Sequence, residues 1–164
     1  MSGFVVRRAA PRDAPMLAEL ATLLTREDTG TASRLRARDL LEHCFCERPL
    51  FEALVGEEAG RLLGYASYYP AYDTQYAAKG FYLQDLYVRQ EARRRGLGRA
   101  LMAAVARACL DAGGSYMFWH AQPSNRAGRA FYRALGARTE PVSTLSLQPG
   151  PLRKLAARLG PDDA

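Results

Sequence analysis

The sequence predicts an α/β fold in which a mixed, mostly antiparallel sheet is flanked by helices. In the middle of the chain, segments rich in aromatic and branched residues flank a short Glu-Glu-Ala-Gly turn, which indicates hairpin strands. Further along, strand-like and helix-like segments alternate, a pattern typical of layered α/β proteins. With 164 residues and no internal repeat or long linker, the chain suits a single domain over residues 1–164.

The first half is predicted to contain three strands and two helices. Residues 4–8 indicate a strand, and Pro11 can open a helix in which apolar residues recur at helical spacing. A second helix is predicted over residues 33–45, with Ser33 as its N-cap. Two further strands are predicted over residues 51–55 and 62–69, joined by the turn at 57–60 and followed by a tyrosine-rich loop over 68–76.

The second half alternates between strands and helices. A strand over residues 81–89 leads through Gly96-Leu97-Gly98 into a long helix that ends at Gly113-Gly114. The pattern then predicts a strand over residues 115–120, a helix over 124–135, a strand over 139–147 and a short helix over 151–159.

The composition is that of an ordinary globular protein, 48% apolar and 24% charged. No apolar run is long enough to span a bilayer, and the apolar stretch near the N-terminus is too short for a secretory signal peptide. We therefore expect a cytoplasmic protein with no membrane partner. The three cysteines have spacings that fit neither a disulfide framework nor a zinc site, so no metal is expected.

The net charge of +6 arises almost entirely from an excess of arginine. Such a charge suits a polyanionic ligand, either nucleic acid or a phosphorylated cofactor. Arginine runs usually indicate a solvated face or a nucleic-acid patch. Here, however, four arginines surround the turn between a predicted strand and a predicted helix: Arg93, Arg94, Arg95 and Arg99. That position favours a phosphorylated cofactor, and no nucleic-acid partner is expected.

The turn at residues 93–99 is a candidate anion site. A turn that feeds directly into a helix collects backbone N–H groups at the positive end of the helix dipole. Gly96 and Gly98 have no Cβ, so a phosphate can approach the backbone closely. Two glycines before a helix are also compatible with turn chemistry alone. The sequence has neither the Gly-Lys-Ser/Thr of a Walker loop nor the third glycine of a dinucleotide fingerprint.

Three segments, in this order, resemble the GNAT superfamily of N-acyltransferases. They are the strand over residues 82–88, the loop Arg93-x-x-Gly96-x-Gly98, and the segment Asn125…Phe131-Tyr132…Leu135-Gly136-Ala137. Within the superfamily, the residues around Tyr65, Tyr72-Asp73 and Tyr82-Leu83-x-Asp85 are similar to the diamine (polyamine) acetyltransferase group. The resemblance implies a GNAT-type fold, acetyl-CoA as co-substrate without a metal, a small amine as substrate, with diamines and polyamines as candidates, and a homodimer.

The resemblance also implies how the cofactor is held. The backbone of Leu86 and Val88 would bind the pantetheine arm, and the N–H groups of the loop would bind the pyrophosphate. Asn125 would contact the cofactor near the next helix, with an ordinary helix-start residue as the alternative. The expected cofactor-binding residues are Leu86, Tyr87, Val88, Arg93, Arg94, Arg95, Gly96, Leu97, Gly98, Arg99 and Asn125.

Catalysis needs an acid for the departing thiolate and a base for the attacking amine, and it needs no covalent intermediate. The resemblance makes Tyr132 the acid. The polyamine group usually has a glutamate immediately before the strand's aspartate, but here that residue is Gln84, which cannot take a proton. Asp85 or an ordered water would then act as the base. In a regular strand Gln84 and Asp85 lie on opposite faces, so both line the cleft only if the strand bulges.

The tyrosine-rich loop is the expected acceptor site. Tyr69, Tyr72 and Asp73 suit a cationic amine through cation–π contacts and charge pairing, with a packed or dimer-contacting loop as the alternative. The acceptor itself stays open between a polyamine or diamine, an amino acid, an antibiotic and a protein amine. A protein of another class, which binds CoA or nucleic acid without catalysis, is the remaining alternative.

Overall fold

The computed structural model of the chain describes residues 3–158, which contain five strands. These are β1 (Val5–Arg8), β2 (Glu52–Glu58), β3 (Arg61–Asp73), β4 (Ala78–Val88) and β5 (Tyr116–Phe118). The strands form one sheet in the order β1-β2-β3-β4-β5. Neighbours from β1 to β4 are antiparallel, and β5 is parallel to β4. The predicted mixed, mostly antiparallel sheet is confirmed.

Five α-helices accompany the sheet in the described residues: α1 (Ala14–Thr29), α2 (Ala37–His43), α3 (Leu97–Asp111), α4 (Arg126–Ala134) and α5 (Pro149–Ala156). The chain divides into two compact units, Met1–Phe131 and Tyr132–Ala164. The first unit holds the whole sheet and α1 to α3. The second holds the end of α4, an extended segment and α5. A single domain over residues 1–164 stays a prediction.

Helices cover both faces of the sheet in the first unit. Leu17 and Leu20 of α1 are buried in the same cluster as Val55 and Tyr65, which places α1 on one face. Gly56 follows Val55 and so faces the other side. A Cβ on Gly56 would lie 2.4 Å from a methyl group of Leu97, the first residue of α3. The glycine therefore lets α3 pack closely against β2.

The turn between β2 and β3 confirms the prediction from the sequence. Ala59 and Gly60 both have positive φ, 50° and 78°, as a two-residue hairpin turn of the primed type requires. The next hairpin is longer than expected, because β3 continues to Asp73 and β4 begins at Ala78. Residues 68–73 of the predicted loop are therefore strand, since their partners in β4 complete the ladder of backbone hydrogen bonds.

Three local predictions were wrong. Residues 139–147 form no strand and are exposed throughout. A strand needs a neighbouring strand to pair with, and the local sequence alone does not supply one. Helix α2 begins at Ala37, with the Asp39 carboxylate accepting a hydrogen bond from the Arg36 N–H at 2.8 Å. Ser33 does not cap this helix; its hydroxyl accepts from the Leu35 N–H at 3.1 Å. Residue 159 of the predicted last helix lies outside the described residues.

Candidate active site

β4 has a partner along only part of its outer edge. β5 pairs with Gly80, Phe81 and Tyr82 alone, whereas β4 continues to Val88. In the described part of the chain, no strand pairs with that edge beyond Tyr82. Over residues 83–88 the backbone groups that face outward therefore have no strand partner, and an extended ligand could pair with them.

The hydrogen bonds around Val88 show which backbone groups point to this open edge. The Arg89 N–H donates to the Leu63 carbonyl of β3 at 2.8 Å. Backbone groups alternate in direction along an antiparallel strand, so Leu86 and Val88 face away from β3. In agreement, the Val88 carbonyl accepts a hydrogen bond from Arg93 Nε at 2.8 Å. The two residues predicted to bind the pantetheine arm are therefore the ones with outward-facing backbone.

The glycine turn after β4 leaves free N–H groups at the start of α3. Arg94 and Gly96 have positive φ, 61° and 94°, and α3 begins at Leu97. The first helical hydrogen bond runs from Ala100 N to Gly96 O at 3.0 Å, and no side chain caps this end. The preceding N–H groups thus converge on the positive end of a 15-residue helix, as an anion site requires.

The four arginines of this turn form two groups, which differ in whether they bind protein carboxylates. Arg93 donates to both oxygens of the Glu27 carboxylate at 2.8 and 2.6 Å, and its guanidinium lies 5.6 Å from the centre of the Tyr87 ring. Arg95 pairs with Glu58 at 2.7 Å. Two of the predicted phosphate partners therefore bind protein carboxylates. The other two, Arg94 and Arg99, are exposed and form no ion pair with any described residue.

Asn125 occupies a structural position. Its side-chain oxygen accepts a hydrogen bond from the Gly128 N–H at 2.8 Å, at the start of α4. This contact is the one expected of a helix-start residue, the alternative raised by the sequence. Tyr132 lies on α4 in the second unit and is half-buried. The Tyr132 backbone carbonyl accepts hydrogen bonds from Leu135 and Ala137 at the end of this helix.

β4 bulges at Gln84 and Asp85, the two residues considered for the catalytic base. Ser67 pairs with Asp85, but the next residue of β3, Tyr68, pairs with Leu83, so Gln84 is the extra residue. A bulge was the condition for both Gln84 and Asp85 to line the cleft, and the strand has one at this position. Gln84 is exposed, whereas Asp85 is largely enclosed.

Asp85 is held in a small polar pocket. Its carboxylate accepts a hydrogen bond from the Ser67 hydroxyl at 2.8 Å. The Tyr65 hydroxyl faces the same carboxylate, yet it is buried without a partner that meets full hydrogen-bond geometry among the described residues. Burial raises the pKa of Asp85, and the hydrogen bond from Ser67 opposes this shift. A carboxylate with a raised pKa is a better base near neutral pH.

A second carboxylate extends the negative potential of this pocket. Asp28, at the end of α1, raises the pKa of both Asp85 and Tyr65 through its charge. Asp28 and Ser67 were not singled out from the sequence, and Tyr65 was noted only as part of a segment similar to the diamine acetyltransferase group. Ser67 left one signal there, as the one serine in a predicted strand of apolar and tyrosine residues. Asp28 left none, because only the packing of α1 on the sheet brings its charge near Asp85, and the pairing of β3 with β4 brings Tyr65 there.

The predicted acceptor residues do not converge. The Tyr69 ring packs against Tyr82 with centroids 4.9 Å apart, on the same face as Ser67 and Asp85. Tyr72 belongs to the opposite face and lines a groove of about 490 Å³ beside the end of α3. The Asp73 carboxylate accepts hydrogen bonds from the backbone of Gln75 and Tyr76 at 2.8 and 3.2 Å. Asp73 therefore holds the hairpin turn.

The comparison with protein families agrees with this geometry. The model of the acetyltransferase (GNAT) family matches residues 17–137. The chain belongs to this family. It is therefore an N-acetyltransferase that depends on an acyl-CoA, and enzymes of this family use acetyl-CoA as co-substrate.

Several curated proteins are similar in sequence to this acetyltransferase. A thialysine N-epsilon-acetyltransferase of Sus scrofa is 29% identical over 147 residues, covering 84% of this chain and 86% of the relative. A spermidine/spermine N(1)-acetyltransferase-like protein of Homo sapiens is 30% identical over 145 residues, covering 84% of this chain and 21% of the relative. An L-ornithine N5-acetyltransferase of Arabidopsis thaliana is 32% identical over 74 residues, covering 45% of this chain and 32% of the relative.

Solved structures share the fold. An integron cassette protein of V. cholerae superposes with a TM-score of 0.80 at 23% identity, covering 95% of this chain and 99% of the other. An aminoglycoside acetyltransferase from a soil metagenome superposes with a TM-score of 0.75 at 19% identity, covering 89% and 97%. Within residues 3–158, no group of three or more side chains could hold a metal ion. No helix of that range is long and apolar enough to cross a membrane.

A bulky side chain at Gly98 should block the anion site. Gly98→Trp puts an indole into the first turn of α3, so we expect the Kd for CoA in isothermal titration calorimetry to rise at least about 100-fold. Gly98→Ala is the matched control, because a Cβ there would lie 3.5 Å from the Phe131 ring, an ordinary contact. Its Kd should change less than about threefold. Unchanged affinity in the tryptophan variant would mean that this turn does not hold the cofactor.

Proposed function

We propose that this protein transfers an acetyl group from acetyl-CoA to a primary amine of a small molecule, with diamines and polyamines as the first candidates. One observation carries the proposal. The open edge of β4 runs from the free N–H groups at the start of α3 to the bulge that holds Asp85. A cofactor laid along this edge would have its phosphates at one end and its thioester beside a carboxylate at the other.

The cofactor is proposed to bind mainly through backbone groups. The outward-facing backbone of Leu86 and the N–H of Val88 pair with the amides of the pantetheine arm, because the Val88 carbonyl already accepts a hydrogen bond from Arg93 Nε. The pyrophosphate accepts hydrogen bonds from the N–H groups of the glycine turn, with Arg94 and Arg99 as the available cations. Arg93 and Arg95 support the turn indirectly, because their ion pairs hold it to α1 and β2. In this proposal Arg93 keeps its ion pair with Glu27 when the cofactor binds.

The transfer is proposed to be direct. The neutral amine attacks the thioester carbonyl, the carbon–sulfur bond breaks, and the products are the N-acetyl amide and CoA. Asp85 takes the proton that the amine loses, and its raised pKa suits this role. The backbone N–H of Leu86 stabilises the oxyanion. Tyr132 protonates the thiolate, an assignment that rests on the sequence motif around it.

The charge near Asp85 suits a cationic acceptor. Asp85 and Asp28 are both acidic, and the buried Tyr65 hydroxyl beside Asp85 lacks a partner with full hydrogen-bond geometry among the described residues. An ammonium group of the substrate would supply donors to these oxygens. The names of the similar proteins specify thialysine, spermidine or spermine, and ornithine, which are all amines. A homodimer and a cytoplasmic location stay predictions.

An acceptor panel tests the proposed function most directly. Thiol release from acetyl-CoA would be followed with 1,4-diaminobutane, spermidine, lysine, an aminoglycoside and a peptide with a free N-terminus. We expect turnover with the first two compounds at a kcat/KM at least about tenfold above that for the peptide. Binding of acetyl-CoA without turnover of any acceptor would refute the proposal and favour a CoA-binding protein.

Asp85→Asn should separate activity from stability. The loss of the base should lower kcat/KM about 100-fold or more. A carboxyl whose pKa is raised in the folded state stabilises the fold below its unfolded pKa and loses that contribution as pH rises through the folded value. The neutral variant should therefore melt at or above the wild-type temperature at pH 8, and the difference should shrink toward pH 4. Asp111→Asn, at an exposed aspartate, is the control. Full activity of Asp85→Asn would assign the base elsewhere.

Tyr132→Phe should affect the chemical step alone. Without the phenolic proton, the thiolate is a poorer leaving group, so kcat should fall at least about tenfold while the Kd for CoA stays within about twofold. Steady-state kinetics and calorimetry on the same preparation measure the two quantities. A fully active variant would remove Tyr132 from the mechanism.

A further inference from the structure

One face of the sheet beside the bulge carries a continuous layer of rings. Tyr69 lies 4.9 Å from Tyr82, and Tyr82 lies 5.0 Å from Phe118, measured between ring centroids. Tyr116 continues the layer at 5.9 Å from Phe118. His120, just beyond β5, lies 5.6 Å from Tyr82. We call these five residues the aromatic platform.

The aromatic platform is held in place at its centre. Tyr82 contacts three of the other rings, and its hydroxyl forms a hydrogen bond of 2.9 Å with His120 Nδ1. Tyr69 and Tyr82 are also cross-strand partners in the ladder between β3 and β4. Rings fixed by several contacts lose little further entropy when a ligand packs on them. The platform is therefore a preformed surface.

The aromatic platform adjoins the pocket of Asp85. Tyr69 and Tyr82 share the face of Ser67 and Asp85, because the register of β3 against β4 keeps them on one side of the sheet. Burial raises the pKa of Tyr82, and the charges of Tyr69 and Asp85 add to the shift. A ligand that reaches Asp85 would therefore reach the platform with its next few atoms.

The exposure of Phe118 indicates what kind of ligand fits. Its side chain has no polar atom, yet 42% of the residue is accessible to water. An exposed phenyl ring among other rings gains free energy when an apolar group covers it. The platform carries no lysine, arginine or carboxylate of its own, and Asp85 supplies the neighbouring negative charge. A molecule with an amine at one end and a hydrocarbon segment next to it matches both features.

We infer that the aromatic platform binds the hydrocarbon segment of the acceptor and thereby selects amines that carry an extended alkyl or aryl group over small polar amines. The inference rests on the proposed function and deepens it. It makes Phe118 and Tyr82 specificity-determining residues rather than catalytic ones. The alkyl and aryl forms of such a segment share the same chemistry, and the choice of acceptors in the test distinguishes them.

The test compares three acceptors, ethylamine, n-hexylamine and 2-phenylethylamine, by kcat/KM with saturating acetyl-CoA. We expect at least a tenfold preference for each longer amine over ethylamine, from covering several methylene groups or a ring. Phe118→Ala should reduce that preference about fivefold to tenfold and leave kcat/KM for ethylamine within about twofold. The larger of the two losses identifies the alkyl or the aryl segment as the preferred one.

Two control variants keep the result specific. Tyr82→Phe retains the ring but loses the hydrogen bond to His120, so at least half of the preference should persist. Tyr76→Ala removes an exposed tyrosine from the hairpin turn and should change nothing. Thermal melting checks that each variant is folded, and sedimentation checks its oligomeric state.

Each outcome decides between the alternatives. An unchanged preference in folded Phe118→Ala, or no preference in the wild type, would overturn the inference while the proposed function stands. Dissociation of an oligomer by Phe118→Ala would show that a second copy of the chain covers the platform, which also overturns it. Absence of turnover with any amine would overturn the proposed function and this inference together.

Discussion

The short pairing between β4 and β5 is the constraint on which the rest of the site depends. β5 contacts β4 over three residues only, and β4 then runs on to Val88 with a free outer edge. A free edge is a hazard for most proteins, because it can pair with another chain. Here the strand continues from that edge into the glycine turn and α3. In the proposed function, this edge is the template along which an extended cofactor binds.

The bulge at Gln84 turns the end of this edge into a chemical site. One extra residue in β4 places Asp85 opposite Ser67 and leaves Gln84 exposed. The carboxylate is then largely buried, the Tyr65 hydroxyl faces it from β3, and the charge of Asp28 raises its pKa further. Burial of a charged group costs free energy. A buried carboxylate with a raised pKa is a stronger base and could also pair with an ammonium group, and such carboxylates are typical of catalytic sites.

Ion pairs position the glycine turn from both sides. Arg93 connects the turn to Glu27 of α1, and Arg95 connects it to Glu58 of β2. Such partly exposed pairs contribute about 0–1 kcal/mol each to stability, so their importance lies in geometry. They orient a turn with two positive φ angles whose N–H groups point to one place. Arg93 and Arg95 therefore hold the turn through their ion pairs. Arg94 and Arg99 are exposed, so their charge is available to a ligand.

The sequence by itself determined the mixed sheet, the hairpin turn at Ala59-Gly60, the glycine turn and the family, because these depend on local patterns and short motifs. It also predicted cofactor contacts at Leu86 and Val88 and a base at Asp85, and it made the bulge a condition. Only the tertiary structure decided that a bulge forms, that Arg93 and Arg95 bind carboxylates, and that Asn125 caps a helix. It alone brought Asp28 and Tyr65 to Asp85 and assembled the aromatic platform. Those relations join residues distant in the chain, and side-chain pairing across elements leaves no periodic signal in a sequence.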